Sequence, residues 1–184
     1  MTGTIGQGTS TTTGDARPPT QHLHFELHLP HAVEKVWAAV ATPEGLVGWL
    51  AAADVLEPRL GGAVTLRWLN ADPAHAPPPT HSGRITAWDV ERIVEYTFDG
   101  PPHGRARFHL EPLGVGATTL RFTNEFPGDD ALRLDCLAGW HQHFEFLLEA
   151  LEGRPMDAAS WSAWSRERWQ QLRDGYAESP GAIA

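Results

Sequence analysis

The stretch that decides the fold is Asp135–Gly153, DCLAGWHQHFEFLLEALEG. Leu137, Trp140, Phe144, Leu147 and Leu151 recur at three- and four-residue steps, which puts them on one face at helical pitch. His141 and Leu148 flank that face, while Gln142, Glu145, Glu149 and Glu152 fall toward the other side. Gly153 is placed as a C-terminal stop, and Pro155 bars continuation. A stripe with two large aromatics needs a broad apolar partner surface. The residues before it read as short strands that supply one, so the expected arrangement is a curved sheet wrapped around this helix.

Working outward, residues 21–29 alternate. Leu23, Phe25, Leu27 and Leu29 take one face and His22, His24, Glu26 and His28 the other, the pattern of a half-buried strand. Pro30 ends it. Residues 32–41 read as a helix burying Val33, Val36, Trp37 and Val40. Thr42-Pro43-Glu44 starts a second, short helix carrying Leu46, Trp49 and Leu50. The turn Glu57-Pro58-Arg59-Leu60-Gly61-Gly62 leads into a strand over 63–69. Asp72, Pro73 and the prolines Pro77 to Pro79 mark a loop at the sheet edge over 70–81. Further strands are expected at 83–88, 93–98, 105–111 and 118–125. Their short connections, at Asp99-Gly100-Pro101-Pro102 and Gly114-Val115-Gly116, favour antiparallel neighbours.

The chain thus divides into a Thr-, Gly-, Ser- and Pro-rich segment, 1–20, read as a disordered tail; a domain, 21–153; and a Trp-rich helical extension, 154–184. In the extension Trp161, Trp164, Trp169 and Leu172 trace one side of a final helix. That helix either folds back over Phe146 or meets a second chain in a homodimer.

Composition narrows the function. The 184 residues carry a net charge of -9 and scattered arginines, which argues against a nucleic-acid partner. The single cysteine, Cys136, allows no internal disulfide and no thiolate metal cluster, in keeping with a cytoplasmic location. The start lacks the pattern of a signal peptide, and no apolar run is long enough to span a bilayer. Neither a phosphate-binding loop, a dinucleotide glycine run nor a paired-carboxylate spacing is present, so no catalytic set and no cofactor is assigned.

Particular residues carry a resemblance. Pro30, Glu34, Val36-Trp37, Thr42-Pro43, Leu46 and Trp49 match the opening pattern of a known family, and the turn over 57–62 matches its next feature. Gly83-Arg84-Ile85, Arg92 and Tyr96-Thr97-Phe98 match its middle hairpin; Phe108, Leu110, Pro112, Gly114, Gly116 and Thr118 match the next. Gly139-Trp140 through Leu151-Glu152-Gly153 matches its closing helix. Over residues 23–153 the chain resembles the SRPBCC (START-like) superfamily, in the branch named for the C-terminal domain of the activator of heat-shock protein 90 ATPase. Val90-Glu91 and Asn124-Glu125-Phe126 depart from the pattern.

The resemblance implies an α+β helix-grip fold, with a curved antiparallel sheet around a long C-terminal helix and two short helices after the first strand. It also implies a cavity between sheet and helix for apolar ligands, and the favoured reading is binding of a small apolar or amphipathic ligand without catalysis. Two alternatives stand beside this reading: a cyclase- or aromatase-like enzyme using the same cavity, and a protein-interaction module with a chaperone partner.

Candidate cavity residues are the strand aromatics Trp68, Trp88, Tyr96, Phe98, Phe108 and Phe122 and the helix residues Leu137, Trp140 and Phe144. His141 borders the apolar stripe, and Arg133 aligns with it if the helix begins that early. An arginine there snorkels, pairs with a carboxylate such as Asp54, Glu57 or Glu95, or meets an anionic ligand. His22, His24, Glu26 and His28 stand parallel on one strand face, and His141 and His143 diverge on the helix, so no metal site is assigned. Cys136 has no adjacent base and reads as a small buried apolar residue.

Overall fold

The computed structural model describes residues 2–70, 78–100 and 104–179. The expected loop markers Asp72, Pro73, Pro77, Pro101 and Pro102 lie outside these residues, as does the end of the chain from 180.

The element order is β1 (Thr4–Ile5), β2 (Thr9–Thr13), β3 (Thr20–Leu29), α1 (Val33–Ala41), α2 (Pro43–Leu46), β4 (Ala52–Leu56), β5 (Ala63–Arg67), β6 (Thr80–Asp89), β7 (Ile93–Phe98), β8 (Gly104–Pro112), β9 (Thr118–Pro127), α3 (Asp130–Leu151), α4 (Ala158–Ser162) and α5 (Glu167–Glu178). The strands form one antiparallel sheet in the order β1-β3-β9-β8-β7-β6-β5-β4, with β2 also on β3. The sheet curls around α3, which is the expected helix-grip class. Register shifts in β4 between Ala53 and Val55, and in β6 between Ile85 and Ala87, supply local bends.

Alternation sets which face is covered. Leu23, Phe25, Leu27 and Leu29 are buried, and β9 adds Leu120, Phe122 and Phe126 while β8 adds Ala106, Phe108 and Leu110. Phe144 on α3 is fully buried against Phe25 and Phe122, with ring centroids 5.2 and 5.1 Å away. Asp129 caps α3 by accepting the backbone N–H of Leu132, and Gly153, at φ 82°, turns the chain out of it. Thr42 caps α2 by accepting from the Gly45 N–H. Gly45 is obligatory there, because a Cβ would lie 2.0 Å from the carbonyl oxygen of Ala38. The indole of Trp49 donates to Ala39 O at 2.8 Å and the phenol of Tyr96 to Val40 O at 2.8 Å, which ties the α1–α2 unit into the core.

Several expectations need correction. The segment 1–20 is not a free tail: Thr9–Thr13 pairs with Thr20–His24 and Thr4–Ile5 with Leu27–His28. A threonine-rich strand needs no apolar face to add to a sheet edge, since its β-branched residues suit the pleat and the backbone supplies the bonds. β4 was not expected, α2 stops before Trp49, and β5 ends before Leu69. The extension holds two helices, α4 with Trp161 and α5 with Trp169, with Trp164 between them. Gln142 is buried although its spacing puts it opposite the stripe, and α5 packs along α3.

The two ends of the chain meet at one hydroxyl. Tyr176 Oη accepts from the Gly8 N–H at 3.0 Å and shares a hydrogen bond of 2.7 Å with His141 Nδ1. α5 is held further by Arg173 to Asp135 and Arg168 to Glu145. The Tyr176→Phe protein is expected to lose about 1–3 kcal/mol, because the Gly8 N–H and His141 Nδ1 both lose their partner. Urea unfolding reads this as a lower midpoint, and an unchanged midpoint would show that the junction contributes nothing.

Candidate functional site

A cavity of about 430 Å³ lies between the sheet and the N-terminal half of α3. Its size falls within the ~300–1,000 Å³ of small-molecule sites. Leu66, Tyr96 and Phe108 come from the concave face, and Trp68, His81 and Phe98 stand nearer the strand ends. Asn124 and Phe126 of β9 close one side. Cys136, Gly139, Trp140 and His143 form the helix wall, and Trp169 of α5 adds to it. These helix residues follow i, i+3, i+4, i+7 spacing and make a stripe of their own, beside the core stripe of Leu137, Phe144, Leu147 and Leu151.

Most polar atoms of the wall have partners. Asn124 Oδ1 accepts from the Trp140 indole at 2.9 Å, and its amide donates to Arg105 O at 2.9 Å. Trp68 Nε1 donates to His81 Nδ1 at 3.1 Å. Asp135 accepts from Arg173 at 2.6 Å, and its backbone oxygen takes the Trp169 indole at 3.3 Å. Burial pushes the Cys136 thiol up to about 12, helped by the neighbouring Asp135 carboxylate, so it stays a thiol. Burial also raises the Tyr96 phenol well above its ordinary range.

His143 is 6% exposed. Its Nδ1 is 2.8 Å from Trp49 O, and its Nε2 is 3.5 Å from Asn70 Nδ2. Loss of water pushes its pKa down to about 4, although the Trp49 carbonyl favours the charged form.

Of the sequence-predicted residues, Trp68, Tyr96, Phe98, Phe108 and Trp140 line the cavity together. Phe122, Leu137 and Phe144 are buried core behind the wall. Trp88 packs on Trp37, at 5.0 Å between centroids, near the other end of β6. His141 does not reach the cavity; it faces Phe25 and Tyr176. Arg133 does not reach it either, since its guanidinium binds Asp130 at 2.7 Å and Ser10 at 2.9 Å. The carboxylates weighed as its partners are engaged elsewhere: Asp54 with Arg67, Glu57 with Arg59 and Glu95 with Arg107. His22 lies against Glu125 and His28 against Glu26 on the outer strand face.

Sequence reading did not place His81, His143, Asn70, Asn124, Gly139 or Trp169 at the cavity. The stripe 136/139/140/143 was the available signal for two of them, but a periodicity search centred on large apolar residues weights Gly139 and His143 too little.

The buried histidine makes stability depend on pH. The unfolded ring takes a proton near 6.5 and the folded one only near 4, so the unfolded state binds more protons between these values. The contribution is fully present above 6.5 and is lost as the pH falls toward 4, by an amount on the order of 3 kcal/mol. The fall in urea midpoint from pH 7 to pH 4 should therefore be steeper for the wild type than for His143→Gln. Parallel curves would rule out this assignment.

A curled antiparallel sheet gripping one long helix, with an apolar cavity between them, defines a START-like helix-grip domain. Residues 30–152 match the family of activator of Hsp90 ATPase homolog 1-like proteins, and the chain belongs to that family. Its fold is similar to that of CalU16 from Micromonospora echinospora, with a TM-score of 0.64 at 16% identity over 96% of each chain. CV1439 from Chromobacterium violaceum is 26% identical, with a TM-score of 0.55 over 70% of this chain and 96% of its own. DynU16, a protein of the dynemicin biosynthetic locus, gives 0.62 at 19% identity over 73% of this chain and 48% of its own. No curated protein matches the sequence. β1, β2, β3, α4 and α5 lie outside the matched residues, so Trp169 reaches the cavity from beyond them.

Proposed function

We propose that the protein binds a small apolar or amphipathic molecule in the cavity between the sheet and α3, without transforming it. The observation that carries this reading is the cavity itself, about 430 Å³ walled by Trp68, Tyr96, Phe98, Phe108 and Trp140. Apolar sites are built this way, from aromatic walls with a few oriented polar groups. Binding is favoured over chemistry because the cavity's thiol stays protonated and its buried phenol is tied to Val40. The fold shared with DynU16, a protein of a biosynthetic locus, fits a small-molecule ligand.

Gly139 offers a direct test. A Cβ there meets nothing nearer than Trp169 Nε1 at 3.9 Å outside the helix's own backbone, so a larger side chain has room to enter the cavity. Gly139→Phe is expected to keep its melting temperature, because replacing a helical glycine itself stabilises by about 0.5–1 kcal/mol. It should weaken binding of the neutral probe N-phenyl-1-naphthylamine at least tenfold, about 1.4 kcal/mol. Equal probe binding by the folded variant and the wild type would move the site elsewhere.

A second reading, contact with a chaperone partner, rests on a separate observation. Leu60, Val90, Leu113 and Val115 are 52–98% exposed. They sit in the β4–β5, β6–β7 and β8–β9 connections, which antiparallel order brings to one end of the sheet. That end lies away from Trp68, Phe98 and Gly104 at the cavity. If this end docks on a heat-shock protein 90, the wild type stimulates its ATPase, and Leu113→Asp with Val115→Asp removes the stimulation. Absence of stimulation by the wild type eliminates this reading.

A further inference from the structure

The cavity's hydrogen-bonding character is decided by the partners its wall already has. Trp49 O, 2.8 Å from His143 Nδ1, is a carbonyl and only accepts. A neutral ring therefore keeps its proton on Nδ1 and leaves a lone pair on Nε2. Burial keeps the ring neutral.

Acceptors on His81, Asn124 and Asp135 already hold donors. His81 receives the Trp68 indole N–H on Nδ1, so in its neutral form, which burial favours, the proton sits on Nε2. Asn124 Oδ1 holds the Trp140 indole, and Asp135 holds Arg173. His143 Nε2 has only a long approach from Asn70 Nδ2, at 3.5 Å, beyond a normal hydrogen bond. A buried acceptor without a proper donor is destabilising, and a ligand donor relieves that cost.

Charge points the same way. Among the described lining residues the charged side chain is Asp135, and no arginine or lysine lines the wall. Arg133 is turned toward Asp130 and Ser10 instead. A carboxylate ligand would find no arginine or lysine among the described lining residues, and at Asp135 the neighbouring Arg173 is already paired. The indoles of Trp68 and Trp140 and the rings of Phe98 and Phe108 favour flat partners.

We propose that the cavity takes an uncharged, flat ring compound bearing a hydroxyl group, and that this hydroxyl donates its hydrogen bond to Nε2 of His143. The assignment rests on the cavity being the binding site.

Displacement of N-phenyl-1-naphthylamine by four related compounds tests it: naphthalene, 2-methoxynaphthalene, 2-naphthol and 2-naphthoate. 2-Naphthol should displace the probe at a concentration at least about fivefold lower than 2-methoxynaphthalene, which has the oxygen but no donor. 2-Naphthoate should be the weakest. His143→Phe should erase the preference for the hydroxyl. If that variant does not fold, the wild type gives the same information through the imidazole ¹⁵N resonances. His143 Nε2 should shift with 2-naphthol and not with 2-methoxynaphthalene. Equal displacement by the three uncharged compounds overturns the assignment and leaves the cavity as an apolar site. A tighter 2-naphthoate overturns it too. If neither the probe nor any of the four binds, the cavity reading falls and this assignment falls with it.

Discussion

The packing of Phe144 is the interaction on which the rest of the structure depends. Its ring contacts Phe25 and Phe122 of the sheet, stacks near Trp140 at 5.9 Å and near Trp49 at 6.1 Å. One side chain thus joins β3, β9, the long helix and the segment after α2. Aromatic clusters of this kind bury large areas with definite geometry. Trp49, just after the α1–α2 unit, and Trp140 of the cavity wall are both held against the Phe144 ring.

α3 does two jobs along its length. Its core stripe, through Phe144, Leu147 and Leu151, fills the space against the sheet. Its cavity stripe holds Cys136 and Gly139, and the facing strand supplies Gly104 and Ala106. These side chains are too small to bridge the gap between helix and sheet, and the space between them is the cavity. The two stripes are offset by one residue, so a single helix both anchors the fold and walls the site.

Electrostatics separates the inside from the outside. Ion pairs such as Arg67 with Asp54 and Arg121 with Glu111 lie on the exposed sheet face. Exposed pairs of this kind contribute little each. Inside, the ionisable groups His143, Tyr96 and Cys136 are all held uncharged by loss of water. The cavity therefore offers hydrogen-bonding groups held neutral, with the ion-paired Asp135 as the charged side chain among its described lining residues. The chain's two ends complete the domain from outside the family-matched residues, with Ser10 on Arg133, Gly8 on Tyr176 and Trp169 at the cavity.

Alternation in residues 21–29, the 3.6-residue stripe of 137–151 and the turn glycines determined the antiparallel sheet and its central helix. These patterns are local, and burial of one face dictates them whatever the neighbours are. Trp68, Tyr96, Phe98, Phe108 and Trp140 were legible as inward-facing residues for the same reason. The edge strands β1 and β2 were not, because edge pairing uses backbone groups that every sequence carries. The exchange of roles between His141 and His143 was decided by tertiary structure alone. Both stand beside the apolar stripe, and only the seating of Trp49 on one flank and Tyr176 on the other settles which ring meets the cavity. Arg133 likewise had several carboxylates within reach of argument, and the fold pairs it with Asp130 one turn away and with Ser10 of the N-terminal strand. Such long-range partners leave no trace in local periodicity, since they depend on where distant segments come together.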